Sequence, residues 1–326
     1  MMPTMKSLDI GSSISLLVVI PCLNEQSTIA KLINSIPKSF QGVSNFEILV
    51  VDDGSTDKTK EFAISSGAKV ISHRSNRGLG ASFRTASEYA LKSLFDLMVV
   101  IDGDLQFDPR QIADLIAPII EKESDVTVGS RFSENSVVPH LSKLKKLGNS
   151  VVTLVINRLA HANYTDVSSG FRCYSREALL RINTNFEYNF SQEILLEIAY
   201  HKLHVIEIPV SVIYFKDRES RVAPNLWKYG FRITKIIART YRDQFPLRFF
   251  WFLALLNFLP AAVFGGLFLS HFLQTGQFTG FLFAGFLSAY FASISLALLL
   301  IGILADMLVR MRKISERALY LLKKNL

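Results

Sequence analysis

Cysteine is almost missing from this chain. Two residues in 326, Cys22 and Cys173, exclude a disulfide framework and a four-cysteine zinc site. They read as small packed side chains in a reducing compartment. Histidine is also scarce. The six, His73, His140, His161, His201, His204 and His271, form no HExxH pattern, so no zinc centre is expected. Glycine and proline are present at ordinary levels, 17 and 10, and charged residues make up 20% against 49% hydrophobic. That balance excludes collagen-like order and intrinsic disorder. Between Phe249 and Ala305 there is no Asp, Glu, Lys or Arg at all.

A tract of that length holds two segments of the roughly 20 apolar residues that a bilayer crossing needs. They are predicted at 249–273 and 279–305, joined by Gln274-Thr275-Gly276-Gln277. A buried soluble helix of this length would carry a polar stripe, so the tract reads as a membrane hairpin. Lys228, Arg232, Lys235, Arg239, Arg242 and Arg248 precede it, and Arg310, Arg312, Lys313, Arg317, Lys323 and Lys324 follow it. The connector has no basic residue, so both ends are expected on the cytoplasmic side. The net charge of +8 is thereby explained by anionic headgroups, and no nucleic-acid partner is expected. Leu16–Ile20 is too short for a signal peptide and follows Asp9. An integral membrane protein is expected, in the inner or plasma membrane if bacterial, with its catalytic part in the cytosol.

Three segments follow: a globular part over 1–215, a basic amphipathic join over 216–247, and the hairpin with its tail over 248–326. In the join, Leu226, Tyr229, Ile233, Ile236, Ile237 and Tyr241 alternate with basic residues, the pattern of an interfacial helix. The globular part alternates strands at 15–20, 46–51, 69–72, 97–101 and 125–128 with helices. One helix carries Ile29, Leu32, Ile33 and Ile36, another ends near Gly67, and a third runs from about Leu79 to Leu94. A fourth starts at Asp108-Pro109, with Asp as cap and Pro in the first turn, and runs to about Glu121. Apolar strands alternating with amphipathic helices imply an α/β architecture with a mostly parallel sheet covered on both faces.

Ligands of such sheets gather beyond the carboxyl ends of the strands. Three polar clusters lie there: Pro21-Cys22-Leu23-Asn24-Glu25, Asp52-Asp53-Gly54-Ser55-Thr56-Asp57 and Asp102-Gly103-Asp104-Leu105-Gln106. Each alone also suits an ordinary capped turn; their convergence on one edge favours a site. Two carboxylates on one short turn repel each other, and a hard divalent cation relieves that repulsion while bridging to phosphate oxygens. Asp102, Asp104 and Gln106 are the candidate ligands for Mg2+ or Mn2+.

These motifs resemble the family 2 glycosyltransferases of the GT-A fold. The matching residues are Val18-Val-Ile-Pro21 with Asn24-Glu25, Val50-Val-Asp-Asp-Gly-Ser-Thr-Asp57, Asn76-Arg-Gly-Leu-Gly80 and Asp102-Gly-Asp-Leu-Gln106. Gly129-Ser-Arg131 and Asp166-Val-Ser-Ser-Gly-Phe-Arg172 resemble the branch that glycosylates polyisoprenyl phosphates, including dolichol-phosphate mannose synthases and bacterial GtrB-type enzymes. The resemblance implies that Pro21, Asn24, Glu25 and Asp52 hold the nucleotide, and that Asp53, Arg77 and Asp102 line its pyrophosphate. It implies Asp104, Asp166 and Arg131 at the reacting centre. Departures stand at Leu23, where the family usually has an aromatic, and at Arg218-Glu-Ser-Arg221, a shortened form of a family loop.

The expected reaction is inverting transfer of one hexose from a UDP-glucose or GDP-mannose type donor to a polyisoprenyl phosphate, as in cell-wall or O-antigen glycosylation. A metal stabilises the departing diphosphate, and an acceptor phosphate, mostly dianionic at neutral pH, needs no strong base. Guanidinium forks suit that phosphate, and the candidates are Arg131, Arg172, Arg218 and Arg221. Asp166 is expected near the anomeric centre, as a weak base or as support for oxocarbenium charge. A processive polysaccharide synthase is the alternative, but it usually needs more membrane helices and a Gln-x-x-Arg-Trp motif, which is absent. A non-catalytic adaptor would not need the intact acidic turns. Gly78-x-Gly80 lacks the third glycine of a dinucleotide fold and does not follow the first strand. Homo-oligomers are expected, since two helices make a small membrane unit.

Overall fold

The computed structural model describes residues 14–132, 143–183, 190–213, 241–242 and 245–325. The chain divides into two compact units, Met1–Glu219 with Tyr320–Leu326, and Ser220–Leu319. In the first unit the elements are β1 (Ile14–Cys22), α1 (Ile29–Ser35), β2 (Val43–Asp52), α2 (Thr59–Ser65), β3 (Lys69–Ser72), α3 (Leu79–Lys92) and β4 (Leu97–Val100). They continue as α4 (Ile112–Ile120), β5 (Val126–Ser130), α5 (Lys143–Ala160), β6 (Arg172–Ser175), α6 (Arg176–Arg181), α7 (Phe190–Tyr200) and β7 (Val205–Pro209).

The seven strands form one sheet in the order β3-β2-β1-β4-β6-β5-β7. Leu16–Ile20 is wholly buried, as a central parallel strand covered on both faces must be. Alternate residues serve opposite faces. Leu16, Val18 and Ile20 pack with Ile29, Leu32 and Ile33 of α1 and with Ile112, Leu115 and Ile116 of α4. Asp108 caps the turn before α4 by accepting from the Arg110 backbone N–H at 3.0 Å, with Pro109 next in line.

The five expected strands are present, each within three residues of its expected limits. Two further strands complete the sheet. β6 runs antiparallel to both β4 and β5, and β7 runs parallel to β5, so the sheet is mixed rather than uniformly parallel. β6 has only four residues, too few to show a period.

The second unit contains α8 (Pro246–Thr275) and most of α9 (Leu282–Lys324). Both are long and apolar enough to cross a membrane, and only 11% of each apolar window is buried. A core helix of a soluble protein would be mostly covered. Ser288 Oγ donates to Ala261 O and Ser295 Oγ to Ala254 O, each at 2.8 Å. Both pairs step by seven residues, so small side chains and hydroxyl bonds form one seam along the two helices, the device expected where no hydrophobic effect drives association. α9 does not stop at 305 as expected. At about 1.5 Å per residue its 43 residues reach roughly 65 Å, about twice a bilayer core. Its polar portion continues on good helix formers with Arg310–Asp306 and Arg312–Glu316 pairs one turn apart. The last residues belong to the first unit, where Tyr320 Oη donates to Glu177 at 3.1 Å and Lys323 Nζ to Ile182 O at 3.0 Å.

Leu32 is completely buried between α1 and the sheet. Leu32→Ala should cost about 2–5 kcal/mol, read as a lowered thermal midpoint of the first unit in detergent, with the hairpin's helical signal unchanged.

Candidate active site

The register of β1 and β2 sets Cys22 beside Asp52, so the first two acidic loops leave the sheet together. They are then stitched by side chains. The Asn24 N–H donates to Ser55 Oγ at 2.9 Å, Thr56 N–H to Asn24 Oδ1 at 2.9 Å, and Glu25 N–H to Thr59 Oγ1 at 2.8 Å. Asn24 adopts φ +55°, a conformation asparagine tolerates better than most residues. Asp52 is buried and accepts from Ser55 N–H at 2.9 Å. Pro21 and Cys22 are buried at the end of β1, and Glu25 is buried in the loop before α1.

Asp53 faces away from these loops. It accepts from the Arg77 N–H at 2.9 Å and the Gly78 N–H at 2.7 Å. His73 Nδ1 lies 2.7 Å from the same carboxylate, and its Nε2 lies 2.9 Å from Thr85 Oγ1. Asp53 therefore shapes the loop that carries Arg77, whose own side chain is exposed. Gly54 must be glycine, since it has φ +80° and a Cβ there would fall 2.7 Å from the Ser75 carbonyl carbon.

Asp102 follows β4. Burial, then Asp104, then Glu25 push its carboxyl up, partly opposed by Arg131 and Arg172, to about 6. Asp104 accepts from the Gln106 N–H at 3.1 Å. Burial and the neighbouring carboxylates disfavour the charged form of Asp102, and the available ligand atoms are hard oxygens, so the residues fit a hard divalent ion. No group of three or more His, Cys, Asp or Glu side chains is set for a metal among the described residues. Two carboxylates suffice for Mg2+ or Mn2+, which keep waters and take further oxygens from a phosphate substrate.

The second half of the sheet brings Arg131, just past β5, to Asp166. Arg131 Nε donates to Asp166 Oδ2 at 2.6 Å and Nη2 to Oδ1 at 2.9 Å, a two-pronged pair. Nη2 also reaches Ser168 Oγ at 2.6 Å, and the Ser168 N–H donates to Asp166 Oδ1 at 3.1 Å. Burial raises the Asp166 carboxyl, but the hydrogen bonds and charge of Arg131 outweigh it and hold it below the ordinary range. Asp166 has a side-chain exposure of 0% and Arg131 of 16%. Asp166, expected near the anomeric centre, is buried and paired with Arg131.

Gly170 joins the halves. A Cβ built on it would sit 2.7 Å from Asp102 Oδ2 and 2.8 Å from Oδ1, so the 166–170 turn lies against the Asp102 carboxylate. Arg172, expected at the lipid phosphate, is fully buried on β6. Its Nη2 donates to Ser191 O at 2.8 Å and Val167 O at 3.3 Å, so it supports the turn from below rather than reaching the rim. Arg218, Arg221 and most of the 216–247 join lie outside the described residues. His73, Ser55, Thr59 and Ser168 were not anticipated, because each acts on a partner distant in sequence or on backbone N–H groups.

The profile of glycosyl transferase family 2 matches residues 17–182. The chain belongs to this family. A UDP-N-acetylglucosamine–dolichyl-phosphate N-acetylglucosaminyltransferase of Methanococcus voltae is 30% identical over 217 residues, 60% of this chain and 85% of the relative. A dolichol-phosphate mannosyltransferase of Pyrococcus furiosus is 32% identical over 204 residues, 59% of this chain and 54% of the relative. The glucosyl-3-phosphoglycerate synthase of Mycobacterium tuberculosis, solved with Mn2+, UDP and glucosyl-3-phosphoglycerate, superposes with TM-score 0.53 at 22% identity over 74% of this chain and 85% of that one. The fold is GT-A, and the protein is a glycosyltransferase related to enzymes that act on polyprenyl phosphates.

Gly170→Ala forces its methyl onto the Asp102 carboxylate. We expect transferase activity to fall at least tenfold, as misplacement of about an ångström does, checked by radiolabelled sugar transfer alongside a thermal scan. The Arg131–Asp166 pair stabilises the fold above the unfolded carboxyl value of about 4 and is lost as pH falls through the lower folded value. The difference in thermal midpoint between wild type and Asp166→Asn should therefore hold from pH 7 to about pH 4 and shrink only below it; a gap closing between pH 7 and 5 would contradict the pairing.

Proposed function

We propose that this glycosyltransferase moves a single hexose from a nucleotide sugar, of the UDP-glucose or GDP-mannose type, to a polyisoprenyl phosphate, with inversion at the anomeric carbon. The observation that carries this reading is that one turn touches both an acidic pair and a guanidinium: Gly170 lies against Asp102, two residues from Asp104, and Asp166 and Ser168 hold Arg131. A donor diphosphate calls for the first through a cation and an acceptor phosphate for the second. Relatives named for dolichyl-phosphate acceptors support the same acceptor class here, and a GT-A neighbour solved with UDP and Mn2+ supports the donor class.

The loops at Pro21, Asn24, Glu25 and Asp52 would receive the nucleoside, and the loop shaped by Asp53 would present Arg77 to the diphosphate. Asp102, Asp104 and Gln106 would hold Mg2+ or Mn2+, which when bound supplies positive charge to the leaving diphosphate. Arg131 would meet the acceptor phosphate. Asp166 then serves as a positioning residue: its lone pairs are occupied by Arg131 and Ser168, which leaves it a poor base. Attack by an already ionised phosphate fits a site that offers no better one. Residues 1–215 form the cytosolic catalytic part, 216–247 the interfacial join and 248–326 the hairpin, with both termini cytoplasmic by the basic flanks. Arg218 and Arg221 would add to the phosphate site from the join.

Purified protein in detergent, given labelled UDP- and GDP-sugars and a short-chain polyprenyl phosphate, should form a labelled lipid. EDTA should stop the transfer and Mn2+ or Mg2+ restore it. Asp104→Asn should lower transfer by two or more orders of magnitude, the scale on which transition-state charge stabilisation acts, with the thermal midpoint kept. Near-normal transfer by that variant, or transfer that survives EDTA, would remove the cation from the mechanism.

A further inference from the structure

Glu207 lies on β7 opposite Val128 of β5, outside every motif discussed so far. Its carboxylate reaches across to the turn that carries Asp166. The Thr165 N–H donates to Glu207 Oε2 at 2.8 Å and to Oε1 at 2.9 Å, and the Asp166 N–H donates to Oε1 at 3.0 Å. Two consecutive backbone N–H groups, which no helix or strand would satisfy at this turn, are thus received by one acceptor-only group. A carboxylate does this better than any neutral side chain, because both of its oxygens accept and charge roughly doubles the strength of each bond.

The other attachments of the turn make the role of Glu207 specific. Asn157 of α5 holds Tyr164 through a reciprocal pair, Nδ2 to Tyr164 O and Tyr164 N–H to Oδ1, both at 2.8 Å. Ser130 and Thr165 join their hydroxyls at 2.5 Å. Those contacts stop at residue 165. Glu207 alone, among these anchors, bonds the backbone of Asp166 itself. Asp166 in turn fixes the Arg131 guanidinium by two bonds.

We propose that Glu207 is a positioning residue for acceptor binding: it sets the backbone of Asp166, and through Asp166 the direction in which Arg131 faces the acceptor phosphate. The inference rests on the reading that Arg131 meets that phosphate. Glu207 touches neither donor nor acceptor, so its loss should act on one substrate only. Removing the carboxylate leaves two backbone donors to find water, and the turn relaxes while the β5–β7 ladder keeps its backbone bonds.

The experiment compares Glu207→Ala, the near-isosteric Glu207→Gln and Arg131→Ala in full-length protein, with separate titrations of nucleotide sugar and short-chain polyprenyl phosphate. Glu207→Ala should raise the KM for the lipid phosphate about tenfold to a hundredfold, the range expected for a displacement of about an ångström, with the donor KM within twofold of wild type. Glu207→Gln, which can accept one N–H but presents an NH2 group to the other, should fall between the two. In the Arg131→Ala background Glu207→Ala should add little, since both act on the same contact. A wild-type lipid KM in Glu207→Gln and Glu207→Ala, while Arg131→Ala raises it, overturns the inference and leaves the reading of Arg131 standing. A parallel loss for both substrates that tracks the folded fraction also overturns it, because Glu207 is then merely structural. An unchanged lipid KM in Arg131→Ala overturns the reading of Arg131 itself.

Discussion

The site depends on how closely a backbone can approach a carboxylate. Asp102 ends the parallel half of the sheet, and the 166–170 turn leads into β6 of the mixed half. The two halves meet where Gly170 lies against the Asp102 oxygens, at a distance no side chain would allow. The same turn holds Arg131 through Asp166 and Ser168, and Arg131 is within electrostatic reach of Asp102. Arg131 and Arg172 both lower the Asp102 carboxyl, and yet burial with Asp104 and Glu25 still leaves it raised. A divalent cation beside Asp102 and Asp104 would relieve that disfavour of the charged form.

Burying charge is costly unless each ion is answered, and the fold answers most of them with backbone N–H groups. Asp52 takes the Ser55 N–H, Asp53 those of Arg77 and Gly78, and Glu207 those of Thr165 and Asp166. Asp53 and Glu207 receive donors from loops distant in sequence, while Asp52 receives one from its own turn. The carboxylates therefore act as fasteners that tie loops to the rigid sheet. Asp104 accepts from the Gln106 N–H of its own turn, and with Asp102 it forms the pair whose repulsion a metal would relieve.

Much of this was readable in the sequence, for physical reasons. β1, β4 and the end of β2 are buried and appear as continuous apolar runs; the acidic turns follow them because ligands collect at that edge. The hairpin was legible as a tract without charge. What escaped was whatever depends on distant pairing. β6 is four residues long and antiparallel, β7 is a partly exposed edge strand, and neither shows a clear period. Asp53 and Asp52 are neighbours in sequence, yet one fastens a loop 24 and 25 residues away while the other serves its own turn. Arg172 is a candidate for the acceptor phosphate by its guanidinium alone; the register Val100↔Arg172 sets it on β6, where it is fully buried. Glu207 gave no signal at all, since its partners are 41 and 42 residues earlier.

The same bookkeeping of occupied carboxylates bears on the acceptor. A sugar hydroxyl must lose a proton as it attacks, and a general base needs a lone pair aimed at that proton. Asp53 and Asp166 have theirs committed to N–H donors, Asp52 bonds its own turn, and Asp102 and Asp104 belong to the donor side. An acceptor that arrives already ionised asks only for positive charge and a fixed direction. On the proposed reading Arg131, held by Asp166 and partly open to solvent, would supply both. The saturation of Asp166 therefore weighs toward a phosphate as nucleophile on grounds independent of any relative's name. The hairpin, sealed along a serine seam and apolar on its outer faces, suits a phosphate that is carried on a lipid.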